Sequence, residues 1–280
     1  MSIAIQGGKA SFHDVASVSY FGGEQETIYC STFRDVCKSI VNDVAAYGVM
    51  AIENSIAGSI LGNYKLIKEY NLQIIGEIQL HIQQNLIVHP GVKWDEIKVV
   101  KSHPVALLQC EDFFIANPTF TQEEYHDTAD TVKFIKENNL RNYAAIAGKY
   151  AAQYYGMEIL KNGEGIETEK QNFTRFFILC KNKKTKIEGA EKATLSFQLP
   201  DKVGSLANLL KHIVDNNLNL TKIQSIPIMG RPHDYNFYVD CEWSNYDDFK
   251  KSLLVKSLVT ELTVLGEYKK GKIIYDHTEG

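Results

Sequence analysis

The chain has 280 residues, 44% hydrophobic and 23% charged, with a formal net charge of -4; this is the composition of a globular protein with ample material for a core. Acidic and basic residues are interspersed and no basic block exceeds a few residues, which argues against a nucleic-acid partner and for a small molecule. Five cysteines without a Cys-x-x-Cys pair argue against a disulfide framework or structural zinc. The absence of a signal-peptide pattern and of any long apolar run leads us to expect a soluble cytoplasmic protein with reduced thiols and no membrane contact.

Apolar strands are expected at 3–6, 49–52, 73–78, 81–88, 97–101, 143–146 and 173–180. Helical spacing covers 59–70, 104–116 and 128–138, with Val132 and Ile135 on one stripe of the last. Such alternation predicts an α/β architecture for roughly the first 180 residues. A lysine-rich stretch, 181–192, then reads as a linker.

The remainder has its own order. Ala193, Leu195, Phe197 and Leu199 alternate as a strand, and Leu206, Leu209, Leu210, Ile213 and Val214 follow at helical spacing. Asn216 and Asn217 stop that helix, since Asn tolerates the left-handed conformation. Strands are expected at 218–226, 235–241 and 260–268, with a helix over 246–257 capped by Ser244 or Asn245. The order βαββαβ describes a ferredoxin-like unit.

Polar residues cluster where buried strands end, which is where open α/β sheets bind ligands. The first strand leads into Gly7-Gly8-Lys9-Ala10-Ser11, where Ser11 reads either as a plain helix cap or as part of an anion site. The second ends in Glu53-Asn54-Ser55, whose donors serve equally well as caps or as a carboxylate site. Ser102-His103-Pro104 is ordinary helix-start chemistry. In the apolar strand after Asn172, Thr174 and Arg175 stand out, because a buried guanidinium requires a carboxylate, from the protein or from a ligand. No nucleotide-binding glycine motif, metalloprotease helix or nucleophile elbow is present, and eight histidines are scattered without ligand spacing.

Taken together, these stretches resemble the prephenate dehydratase family. The residues that carry the resemblance are Ile5-Gln6-Gly7 with Ser11-Phe12, Ala51 to Ser59, Ser102-His103-Pro104 with Gln109-Cys110, Asp127-Thr128-Ala129, Ala144 to Ala147, and Asn172-Phe173-Thr174-Arg175-Phe176. The resemblance implies a catalytic domain over 1–182, with two α/β lobes around a cleft as in periplasmic binding proteins. Val203-Gly204-Ser205-Leu206 and Leu220 to Ile223 likewise resemble an ACT domain, here over 193–270.

The expected reaction is the decarboxylative dehydration of prephenate to phenylpyruvate, a lyase step of L-phenylalanine biosynthesis, with no cofactor and no metal. Thr174 and Arg175 are the expected catalytic residues, and Ser11, Asn54, Ser55 and Phe173 the substrate-binding ones. L-Phenylalanine is the expected effector, at Gly204, Ser205, Leu206, Gln224 and Ser225. Where the family reads Glu-Ser-Arg-Pro, this chain has Gln224-Ser225-Ile226-Pro227, which removes both charges. A homodimer or homotetramer is expected. The rival readings are an arogenate dehydratase and a non-catalytic metabolite sensor.

Overall fold

The computed structural model describes residues 1–280 apart from 24, 183, 184, 229, 232, 233, 256 and 276–280, so Lys183 and Lys184 of the expected linker lie outside the described residues. The chain forms two compact units, one of residues 1–60, 78–176 and 272–280, the other of residues 61–77 and 177–271. The boundaries fall inside two strands, Leu72–His81 and Phe173–Lys181.

The first unit is a mixed α/β structure. Its larger sheet runs in the order Ile273–Ile274, Leu72–His81, Phe173–Lys181, Tyr47–Asn54, Ser2–Gln6, Glu26–Cys30, with the short strand Gly58–Ser59 folded back on Glu53 and Asn54. Ser2–Gln6 lies parallel to both of its neighbours. Strands buried on both faces read as continuous apolar runs, and Ile3, Ala4, Ile5, Val49, Met50 and Ile52 are accordingly inaccessible to solvent. Each large side chain so buried contributes roughly 1.5–3 kcal/mol before conformational entropy is subtracted.

The smaller sheet has the order Glu158–Ile159, Asn85–Val88, Tyr143–Ala147, Val99–Ser102, Thr121–Glu124. Apolar clusters form its core, one around Leu86, Val88, Val100, Ala144 and Ile146, the other around Ile87, Val132, Ile135 and Ala145.

Three sequence expectations change here. The apolar runs at 73–78 and 81–88 are divided differently: one strand continues to His81, three residues cross over, and Asn85–Val88 belongs to the other sheet. The helix over 104–116 is two helices, Pro104–Gln109 and Glu111–Ala116, separated by the non-helical backbone of Cys110. The helix expected from Ser59 starts at Leu61, because Gly58 and Ser59 pair with the preceding strand.

The second unit contains a four-stranded antiparallel sheet in the order Asn219–Pro227, Tyr235–Glu242, Lys192–Gln198, Glu261–Tyr268. Helices Ser205–Asp215 and Tyr246–Ser252 complete a βαββαβ plan of ferredoxin-like topology. Asn217 adopts the left-handed conformation (φ 59°) after the first helix, and Asn245 caps the second. Lys192 is no linker residue: it opens a strand and is buried against Glu77 at 3.0 Å. Among the described residues no helix is long and apolar enough to cross a membrane. None of the five cysteines is joined in a disulfide among the described residues.

Candidate active site

The first unit encloses a cavity of about 560 Å³ lined by strands of its larger sheet and by loops and helices next to strands of the smaller one, Gln84 before Asn85–Val88 and His103 after Val99–Ser102 among them. Thr174 and Phe176 face it from the strand Phe173–Lys181. Alternation along a strand then turns Arg175 the other way, and Arg175 does not line the cavity. It is 7% exposed and lies 3.8 Å from the Glu53 carboxylate, so it meets a protein carboxylate, one of the two partners expected for it.

Asn54 organises the floor. Its Oδ1 accepts from the backbone N–H groups of Ile56 (3.0 Å) and Ala57 (2.8 Å), closing the turn after the strand Tyr47–Asn54. Because backbone N–H groups only donate, this fixes which end of the amide is oxygen. Nδ2 therefore donates to Asn172 Oδ1 at 2.7 Å and to Thr174 Oγ1 at 3.0 Å. Asn172 Nδ2 in turn donates to Gln109 Oε1 at 3.1 Å. Thr174 receives a hydrogen bond at its oxygen, and its own O–H is left for the cavity.

The caps of three helices also line the cavity: Ser11 before Phe12–Phe21, Thr32 before Phe33–Val41, and Asp127 before Thr128–Glu137. Their N-termini bring partial positive charge and free N–H groups to the wall. Ser11, 2% exposed, accepts from Asp14 N at 3.3 Å. Asp127 accepts from Asp130 N at 2.9 Å, yet burial raises its carboxyl above the usual carboxylate range. Gly7, at φ 92°, comes so close that a Cβ there would sit 3.0 Å from Asp127 Oδ2.

His13 completes one side. Its ring lies 5.0 Å from that of Phe176 and 5.4 Å from that of Phe33, and its Nε2 accepts from Ala51 N at 3.2 Å. An imidazolium could not accept that bond, and burial lowers the pKa of His13 to about 3. His103 also faces the cavity; its Nδ1 accepts from Val105 N at 3.2 Å, capping the helix that starts at Pro104.

Of the residues expected at the site, Thr174, Asn54 and Ser11 line this one cavity. Ser55 is elsewhere: its hydroxyl donates to Gln171 O and accepts from Phe173 N, each at 2.9 Å, fastening the approach to the strand. Phe173 packs against His81 and Tyr275, away from this cavity. Asn54 and Ser55 also sit at the end of a strand and not at a helix N-terminus as expected. Gly204, Ser205, Leu206, Gln224 and Ser225 belong to the second unit. There Gly204 stands at φ 85° ahead of the helix Ser205–Asp215, and Gln224 donates to Ser225 O at 3.1 Å on an edge strand.

Sequence reasoning did not single out His13, Thr32 or Gln84. The first reads as a residue of an apolar helix, Thr32 as a loop polar, and Gln84 falls inside the strand expected at 81–88. A second cavity of about 280 Å³ shares Phe12 and Thr128 with the first and is lined by Ile274 and Tyr275 as well. Among the described residues no group of His, Cys, Asp and Glu is assembled to hold a metal ion.

The protein-family model for prephenate dehydratase matches residues 3–184 and does not extend to the βαββαβ unit. A prephenate dehydratase of Methanocaldococcus jannaschii is 35% identical over 257 residues, spanning 90% of this chain and 90% of that one. An arogenate dehydratase/prephenate dehydratase of Arabidopsis thaliana is 32% identical over 280 residues, spanning 95% of this chain and 72% of its own. Among solved structures, prephenate dehydratase from Arthrobacter aurescens in complex with L-Phe superposes with a TM-score of 0.86 at 23% identity, covering 96% of this chain and 90% of that one. At that identity the superposition establishes the fold.

Proposed function

The chain belongs to the prephenate dehydratase family of hydro-lyases, and we propose that its larger cavity performs the family's reaction with Thr174 as the donor to the departing hydroxyl. Prephenate is a dicarboxylate with a ring hydroxyl. In the reaction the bond from the ring to its carboxylate breaks and CO2 leaves. That electron pair enters the ring, and the carbon–oxygen bond at the opposite position breaks. Phenylpyruvate forms, and the departing hydroxide takes a proton to become water. Aromatisation supplies the driving force, so the protein chiefly orients the substrate and helps hydroxide leave.

The Asn54–Thr174 hydrogen bond carries this reading. A Thr hydroxyl is a weak acid. Accepting a hydrogen bond polarises its O–H and aims it, so that it meets the oxygen on which negative charge develops. Among the described residues the cavity lining includes no Lys or Arg. The substrate's carboxylates are therefore met by O–H and N–H donors, Ser11 and the three helix N-termini among them. Asp127 repels the dianion less than an ordinary carboxylate would, because burial favours its neutral form. Arg175, held by Glu53, acts as a positioning residue that sets the register of the Thr174 strand.

The βαββαβ unit is read as an ACT-type sensor of L-phenylalanine, with Gly204, Ser205, Leu206, Gln224 and Ser225 as its contacts. The L-Phe bound to the Arthrobacter aurescens relative supports that choice of effector. The half-buried edge strand Asn219–Pro227, with Ile223 exposed, supports pairing with a second copy in a homodimer or homotetramer. A cytoplasmic setting, where five cysteines outside any disulfide remain reduced, fits the same reading.

The assay is phenylpyruvate formation from prephenate, with arogenate offered in parallel. Turnover of prephenate at the higher kcat/KM is expected. Turnover of arogenate alone, or of neither, would overturn the assignment.

A further inference from the structure

Gln84 is 3% exposed and lines the larger cavity, and among the described residues its side-chain oxygen has no hydrogen-bond partner. A buried acceptor left unpaired costs roughly 1–3 kcal/mol, so its presence on a ligand-binding wall calls for a donor from the ligand.

The orientation of this amide follows from its neighbours. Two backbone N–H groups fix Asn54 Oδ1, so Asn54 Nδ2 faces Asn172 Oδ1. Asn172 must then present its NH2 to Gln109, which makes the facing atom of Gln109 its oxygen. Gln109 Nε2 closes the ring onto Asn54 Oδ1 at 3.4 Å, in agreement. Gln84 approaches the same Gln109 oxygen at 3.3 Å and must do so with its NH2. A flip of Gln84 would place two oxygens against each other. Every amide in the series is thus oriented from the backbone outward, and the unpaired atom of Gln84 is an acceptor.

We infer that Gln84 Oε1 accepts the hydrogen bond of the substrate's ring hydroxyl and so determines recognition of the leaving group. Its two carboxylates and its keto group only accept. The ring hydroxyl is the sole donor that prephenate carries, so an acceptor can pair with nothing else on it. The hydroxyl is then held from two sides: Thr174 donates to its oxygen, and Gln84 receives its proton. That proton stays on the oxygen as the carbon–oxygen bond breaks, and the water that forms still donates to Gln84. The same wall disfavours a ring ether or a deoxy ring, either of which leaves Gln84 Oε1 unpaired.

The inference rests on the reading of the cavity as the prephenate site, and its test separates the two. Wild type and Gln84→Met are compared for KM and kcat with prephenate, and for the Ki of the ring-deoxy analogue, in which hydrogen replaces the hydroxyl. The preference for prephenate over the analogue is expected to shrink by about three- to tenfold in Gln84→Met. A residue that merely supports Gln109 would weaken both ligands alike and leave that ratio unchanged, which would overturn the inference even with wild-type turnover intact. Absence of wild-type turnover of prephenate would instead overturn the reading beneath it, and this inference with it. If Gln84→Met does not fold, Gln84→Asn withdraws the oxygen by one methylene, and the same ratio decides.

Discussion

Asn54 Nδ2 donates to Thr174 Oγ1 at 3.0 Å although the two residues stand 120 positions apart. The direction of that bond is set by two backbone N–H groups on the other end of the amide. Asn54→Asp tests it with almost no change in shape. The carboxylate keeps its bonds from Ile56 and Ala57 but becomes an acceptor toward Thr174, whose O–H turns inward to meet it. We expect kcat to fall on the order of 10²-fold with KM changed far less, as for loss of an aimed proton donor. Steady-state kinetics on the purified variant reads this directly, and an effect confined to KM would count against the arrangement.

Arg175 and Glu53 offer a contrast. The guanidinium is buried and the carboxylate is about a third exposed, with 3.8 Å between them. Removing the charge with Glu53→Gln is expected to cost on the order of 1–2 kcal/mol, discounted from the larger cost of a fully buried pair by the exposure of Glu53. The melting temperature should drop in calorimetry while KM for prephenate moves less than about threefold. A large rise in KM at unchanged stability would instead place Arg175 on the substrate.

His13 contributes a pH dependence to stability. Its pKa falls from 6.5 in the unfolded chain to about 3 in the folded one, through burial. The unfolded state therefore binds the extra proton first. The stabilisation is fully present above pH 6.5 and is lost progressively as pH falls toward 3. One proton contributes at most about 1.4 kcal/mol per pH unit to that slope. His13→Gln keeps an acceptor for Ala51 N–H and does not titrate. Denaturant melts from pH 7 to 4 should show a shallower decline for this variant, and parallel curves would rule out His13 as the source.

Regulation is expected to be visible as a shift in prephenate affinity. Coupling between two sites is typically about 1–3 kcal/mol, equivalent to roughly 5- to 150-fold in an equilibrium constant. Titrating L-phenylalanine at subsaturating prephenate should lower the rate. A flat response would mean that the βαββαβ unit carries no site for L-phenylalanine.

How far the sequence disclosed this site depended on the kind of signal. Thr174 and Arg175 were visible as an adjacent polar pair in an apolar strand, but adjacency in a strand means opposite faces. One residue reached the cavity, and the other reached Glu53. Asn54 was visible at the end of a buried strand, while its partners Asn172 and Gln109 are joined to it only by tertiary packing. Gln84 was hidden for a related reason. It falls inside the run read as a strand at 81–88, and nothing local marks where the chain leaves one sheet for the other, the crossover that carries Gln84 to the cavity. The βαββαβ unit was legible because its strands alternate and its turns carry Asn and Gly at left-handed positions. The return of the chain to the first unit at Ile273–Ile274 was not, since two residues give no period to read.

The central claim is that the hydroxyl of Thr174 assists departure of the substrate's hydroxyl group. It is tested most directly by phenylpyruvate formation from prephenate with wild type, Thr174→Ser and Thr174→Val. Serine keeps the hydroxyl, and valine keeps the shape without it. The account requires Thr174→Ser to stay within about tenfold of wild type and Thr174→Val to lose on the order of 10²- to 10³-fold in kcat at similar KM. Wild-type kcat in Thr174→Val would contradict it.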